Sequence, residues 1–173
     1  MFRLLRESAA DAAEVETLLD LAFAPGRAAL SSYRLRDGVP PAAELCRVAR
    51  DEYDVLAGAI RFWPVRIGAA GVPALLLGPV AVHPTRQGEG LGGLLIADGL
   101  AAAVAAGWTR ALLVGDAPYY GRFGFARAAG LVFPRPTNPD RVLARALVPG
   151  AFDAVHGSVR RWTARPRSVR CSQ

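Results

Sequence analysis

Lysine is missing altogether: all 21 basic residues are arginine, against 15 acids, for a formal charge of +6. That bias reads as genome composition rather than function. Cysteine is nearly absent too. Cys46 falls in an expected strand and Cys171 in a polar tail, at no metal-ligand spacing. An inert thiol is therefore expected in place of a disulfide or nucleophile, and no His/Cys cluster suggests a metal. Although 52% of the residues are hydrophobic, much of this is alanine. No apolar run long enough to span a bilayer escapes charge, glycine or proline, so no membrane partner is expected. Arg3, Arg6 and Glu7 come too early for a signal peptide, which makes the cytoplasm the expected compartment. Internal repeats and a second unit are lacking as well. Residues 1–173 read as one domain, large enough to bury a substantial core, with a basic tail from about residue 158.

What the chain does have is one organising stretch, residues 75–125. The apolar run Leu75-Leu76-Leu77, continued by Val80-Ala81-Val82, suits a buried strand. Pro84, which has no backbone donor, ends it. Gln87-Gly88-Glu89-Gly90-Leu91-Gly92-Gly93 then turns into an Ala/Leu-rich helix running to about Ala106, with Gly107 as C-cap. A second apolar run over residues 111–114 ends at Gly115-Asp116. Strand, glycine turn, helix and strand in this order bring unpaired helix N–H groups and backbone without Cβ to one spot. That is a phosphate cradle, with Arg86 adding positive charge at its lip.

Two kinds of phosphate ligand fit this pattern. Gly88, Gly90 and Gly93 match G-x-G-x-x-G, and Asp116 lies near where a ribose-binding acid belongs. Against a dinucleotide, His83 and the four residues after it separate the strand from the first glycine, and too little chain follows for further parallel units. The second kind comes from a resemblance. Val80-x-Val82-x-Pro84-x-x-Gln87-x-x-Gly90-x-Gly92 resembles the acetyl-CoA signature of the GNAT acyltransferase superfamily. Farther on, Tyr120-Gly121-Arg122-Phe123-Gly124-Phe125 resembles that family's Tyr-x-x-x-Gly-Phe element. The link Gly115-Asp116-Ala117-Pro118-Tyr119-Tyr120 looks like a branch of small bacterial predicted N-acetyltransferases. The resemblance covers roughly residues 50–150.

The resemblance implies an α/β (α+β) GNAT fold. It has a mixed central sheet of about seven strands flanked by helices, with the fourth and fifth strands splayed and the signature on the fourth. It implies acetyl-CoA as co-substrate, no metal, and a small-molecule or peptide amine as acceptor. The acetyl group would pass to a primary amine by direct attack in a ternary complex. The alternative is a catalytically silent acetyl-CoA- or CoA-binding sensor or interaction protein. By the same resemblance, the backbone of Gln87, Gly88, Glu89, Gly90, Leu91, Gly92 and Gly93 receives the pyrophosphate, with the Glu89 side chain turned outward. Val80, Ala81 and Val82 follow the pantetheine arm, and a backbone N–H near Val82 stabilises developing negative charge on the acetyl oxygen. Tyr120 is the expected acid for the leaving thiolate, packing beside the cofactor sulfur being its other reading; Tyr119 is expected to point elsewhere. The general base stays open among His83, Glu44, Asp54, Asp116 and water. His83 suits a surface role, Asp116 suits a helix cap, and the family's usual Asn two turns before the Tyr is absent.

Elsewhere the pattern is plainer. Residues 2–5 suit a strand, and Ser8 caps a helix reaching about residue 23 with Val15, Leu18, Leu19, Ala22 and Phe23 on one face. Residues 27–42 are irregular; the resemblance implies that they line the acceptor site as a substrate-facing loop, an ordinary surface loop being the other reading. Strands are expected over 45–49, 55–65 (Leu56, Gly58, Ile60 and Phe62 on one side) and 142–147, with a final hairpin-like pair. In the helix after the cradle only Asp98 is charged. Either an Ala-rich face is left exposed, or a subunit contact makes a homodimer. Arg160, Arg161, Arg165, Arg167 and Arg170 crowd the end without an acid. A solvated end accounts for them, and nucleic acid is not an expected partner.

Overall fold

In a computed structural model, residues 1–23, 26–27 and 30–163 are described. The elements in order are β1 (Arg3–Arg6), α1 (Ala12–Phe23), α2 (Ser31–Arg34), β2 (Arg47–Arg50), β3 (Leu56–Ile67), β4 (Val72–Val82) and α3 (Leu91–Ala105). They continue with β5 (Arg110–Val114), α4 (Ala117–Gly121), β6 (Ala126–Arg127), β7 (Leu131–Val132), β8 (Val142–Ala146) and β9 (Gly157–Arg161). The sheet runs β1-β2-β3-β4-β5-β8-β6, and β7 and β9 lie off this path. The seven strands on the path match the expected number, and the two outside it bring the sheet to nine. β1 to β4 form the antiparallel meander, and β5 pairs parallel to β4. Among the described residues the expected terminal hairpin does not form. β9 instead pairs antiparallel with β3 and parallel with β7. Arg160 and Arg161 are thus strand residues, while Arg165, Arg167, Arg170 and Cys171 lie outside the described residues.

α3 covers one face of the sheet. Leu91, Leu95, Ile96 and Leu100 pack on Ile60, Phe62, Leu75 and Leu77, and Gly99 lets the helix approach so closely that a Cβ there would lie 2.6 Å from the Phe62 ring. The helix ends as expected: Gly107 is left-handed at φ +85°, and the Trp108 N–H donates to the Ala103 carbonyl at 3.0 Å. Leu94 and Val104 are half exposed on its outer side, at 52% and 51%. α1 lies on the opposite face, with Val15, Leu18 and Leu19 against Val48, Ala59 and Ala81. Leu56 joins this α1 cluster rather than the side of Gly58, Ile60 and Phe62. The reason is a register shift: Ala49 pairs with Gly58 but Arg50 with Leu56, so Ala57 is an extra residue that inverts the alternation. Cys46 is buried, which pushes its thiol up to about 11. Among the described residues no helix is long and apolar enough to cross a membrane.

Ser8 caps α1 through a 3-10 turn. Asp11 Oδ2 accepts from the Ser8 N–H at 2.8 Å and its hydroxyl at 2.6 Å, while Oδ1 accepts from Arg50 Nη2 at 2.6 Å. These bonds, the Ser8 hydroxyl's first, hold the carboxyl down at about 2 against an ordinary value of 3.8. A depressed carboxyl pKa stabilises the fold above its unfolded value and loses that contribution as pH falls through the folded one. Thermal melts of wild type and Asp11→Asn should therefore differ at neutral pH and converge between about pH 4 and 2.

Candidate active site

The cradle is built where β4 hands over to α3. After Val82, His83 opens a 3-10 turn over Pro84–Arg86, its Nδ1 2.8 Å from Thr85 Oγ1. Gly88 and Gly90 follow with φ of +85° and +77°, conformations that L residues with a Cβ seldom adopt. Gly90 is the N-cap of α3 and supplies no side-chain acceptor, so the first N–H groups of the helix stay available to an anion. They open onto a groove of about 500 Å³ lined by Val82, Arg86, Gln87, Gly88, Gly90, Leu91, Gly92, Gly93, Tyr119, Arg122 and Phe123. A Cβ on Gly92 would come within 2.9 Å of the Tyr119 hydroxyl, so the wall closes only over bare backbone. Donors without side chains, in a groove of this size, fit a pyrophosphate.

The charges around it differ in availability. Arg86 donates to the buried Asp51 Oδ2 at 2.7 Å, so the charge at the lip is shared. Glu89 is exposed, 3.9 Å from Arg86 Nη1, and takes no part in the lining. Arg122 stacks over the Tyr119 ring at 4.5 Å and, among the described residues, has no acidic partner. In the sequence Arg122 is only a variable position of the Tyr-x-x-x-Gly-Phe element. Its position depends on α4 folding back onto the cradle.

A second opening lies where β4 and β5 part. They pair only at Leu75–Ala111 and Leu76–Leu112. Just beyond, β3 pairs Ile60 with Val80 but Phe62 with Leu77, so Gly78-Pro79 form a bulge on β4. The gap holds a cavity of about 140 Å³ lined by Phe23, Leu30, Ser32, Tyr33, Arg36, Leu76, Leu77, Gly78, Pro79, Val80, Val114 and Tyr120. Residues 27–42 thus contribute directly to its wall. Phe23, 41% exposed, stands at this cavity instead of in the α1 core.

α4 separates the two openings. Tyr119 faces the groove and Tyr120 the cavity, their rings perpendicular at 5.0 Å between centroids. Gly115 is required beneath Tyr120, because a Cβ would collide with the ring. Burial pushes the Tyr120 phenol up to about 12, with Tyr119 adding to the shift. Asp116 occupies the N-cap of α4, but only its backbone carbonyl is used, accepting from the Tyr120 N–H at 3.0 Å. Of the β4 residues, Val80 lines the cavity and Val82 the groove, while Ala81 turns its side chain to α1. Gln87 reaches back to the Val82 carbonyl at 3.5 Å. None of the four side chains considered as base lines the cavity. His83 lies beside Leu18, Leu21 and Val55, Asp54 pairs with Arg3, and Glu44 and Asp116 are exposed.

A sheet splayed beside an anion cradle defines a class of acyl-CoA-handling proteins, and comparison with known proteins agrees. A family model described as an acetyltransferase (GNAT) domain matches residues 3–128. The chain belongs to the GNAT acetyltransferase family. It is 31% identical over 120 residues to the uncharacterized N-acetyltransferase YhbS of Escherichia coli (strain K12), covering 69% of this chain and 70% of that protein. The crystal structure of Escherichia coli YhbS in complex with CoA superposes with a TM-score of 0.79 at 28% identity, covering 94% of this chain and 89% of that one. A GNAT family acetyltransferase from Brucella melitensis in complex with acetyl-CoA gives 0.70 at 33% identity, covering 94% and 97%.

Proposed function

We propose that this protein transfers the acetyl group of acetyl-CoA to a primary amine by direct attack in a ternary complex. The observation that carries the reading is the arrangement around α4, with an anion groove on the Tyr119 side and a half-open cavity on the Tyr120 side. Acetyl-CoA supplies an activated acetyl thioester. The backbone of residues 87–93 would hold its pyrophosphate, Arg122 would add charge, and the arm would follow Val80, Ala81 and Val82. The amine nitrogen bonds the acetyl carbon as the carbon–sulfur bond breaks. Tyr120 gives its phenolic proton to the departing sulfur and recovers one from the amine through water.

Only Tyr33, Arg36 and Tyr120 of the cavity's lining carry titratable side chains. The acceptor is therefore best an amine with an appreciable neutral fraction, an α-amino group rather than a lysine near 10.4. Calorimetry should show binding of acetyl-CoA and CoA but not NAD. Thiol release with a panel of amines should then show turnover. Binding without turnover of any amine would favour the silent sensor, and binding of NAD alone would restore the dinucleotide reading.

A further inference from the structure

We propose that the acceptor carries a carboxylate as well as its amine, and that Arg36, in the wall of the splay cavity, receives it. This substrate class, an amino acid with a short apolar body, rests on the acyltransferase reading above.

Arg36 follows α2, and its guanidinium lies between two aromatic faces, 4.4 Å from the Tyr33 ring centroid and 4.9 Å from that of Trp63. Trp63 is itself fixed by its Nε1–H bond to the Val39 carbonyl at 2.9 Å. Arg36 Nε and Nη1 are sealed from solvent and, among the described residues, have no hydrogen-bond partner. The other partly buried arginines have acceptors: Arg27 has Glu16 and Asp20, Arg47 has Asp98, Arg50 has Asp11 and Glu14, Arg61 has Glu7 and Glu16, and Arg66, Arg110 and Arg145 donate to backbone carbonyls. The residues outside the description carry no acidic side chain that might serve Arg36. The Tyr33 hydroxyl accepts from Arg27 Nη1 at 2.8 Å and also favours the charged form of Arg36, but it is a neutral group and leaves the guanidinium without an anion.

A guanidinium withdrawn from water without an anion is costly, and stacking returns only part of that cost because rings offer no acceptors in the guanidinium plane. Burial lowers its pKa to about 10, which still leaves it charged at neutral pH. Its third nitrogen, Nη2, reaches the cavity wall, 3.8 Å from where a Cβ on Gly78 would stand. Arg36 also borders a basic depression with Tyr33, Arg34, Asp37 and Arg161. There Arg34 is engaged by the Arg135 carbonyl and Arg161 by Asp37, so the unmet demand belongs to Arg36.

A fixed cation in the acceptor cavity repels a bare ammonium or polyamine and favours a molecule that brings its own anion. The volume of about 140 Å³, against about 150 Å³ for an engineered cavity that holds benzene, must admit the acetyl thioester as well, which restricts the acceptor to a small body. Leu76, Leu77, Val80 and Val114 line it with hydrocarbon. A small amino acid meets all three conditions.

The test compares apolar α-amino acids with their carboxamides as acceptors, in wild type and Arg36→Gln, each rate expressed per neutral amine because a free carboxylate raises the pKa of the amine beside it, and with acetyl-CoA affinity measured on both. Wild type should prefer the acid by about 10–10²-fold in kcat/KM, the scale of a hydrogen bond to a charged group. In Arg36→Gln the preference should vanish through KM, with acetyl-CoA affinity unchanged. Equal rates for acid and amide in wild type would overturn the proposal. So would turnover confined to uncharged amines, no turnover of any carboxylate-bearing amine by protein that binds acetyl-CoA, or a preference surviving in Arg36→Gln. Should that variant unfold, the wild-type ratio decides alone. Wild type that fails to bind acetyl-CoA would overturn the acyltransferase reading instead.

Discussion

Tyr120→Phe is expected to slow kcat about 10²-fold, the scale of a lost general acid, while acetyl-CoA binds as tightly as before. The ring is wedged over Gly115, between Tyr119 at 5.0 Å and Phe125 at 6.1 Å, so the substitution removes the hydroxyl and little else. One hydroxyl contact contributes about 1 kcal/mol to affinity, far less than the effect expected on the barrier. Because the phenol is held at about 12, it keeps its proton throughout the neutral and mildly alkaline range. kcat should accordingly show no alkaline loss from this group below about pH 10. The deficit should shrink with an acyl donor whose thiol is more acidic, since such a leaving group needs less help. Tyr119→Phe serves as the control: its hydroxyl stands against Gly92 in the groove, so the change should act on cofactor affinity rather than kcat. Unchanged turnover in Tyr120→Phe would reduce that residue to packing.

The second large effect is expected at Gly90. Its φ of +77° is tolerated by asparagine and aspartate better than by other side chains, and nothing lies within 4 Å of the Cβ they would add. Gly90→Asn and Gly90→Asp are therefore matched in shape and differ in charge. A carboxylate about 4 Å from a phosphate costs about 4 kcal/mol at an effective dielectric of 20. Gly90→Asp should weaken acetyl-CoA binding on the order of 10²–10³-fold relative to Gly90→Asn. Equal losses in both variants would point to backbone strain. Unchanged calorimetric affinity in Gly90→Asp would remove the cradle from the binding site.

Whatever depends on neighbouring residues was legible in the sequence. Gly88, Gly90 and Gly107 mark backbone that must turn left-handed, and each does so. The apolar run Leu75-Leu76-Leu77, and the helical spacing of Val15, Leu18 and Leu19, placed their elements because run length and periodicity are local properties of the chain. The parting of β4 and β5 came from the resemblance, since no residue pattern states where two strands stop pairing. Other features required the fold. The Gly78-Pro79 and Ala57 bulges arise from register between strands, and β9 finds β3 rather than a hairpin partner. Tyr119 and Tyr120 are adjacent in sequence and of one chemistry, yet the short α4 sends them into different openings. Residues 27–42 were irregular in pattern, and only the resemblance turned them toward the acceptor. Arg36 acquires meaning there only through Trp63, Gly78 and the missing acid, because charge compensation is settled among groups that meet in space.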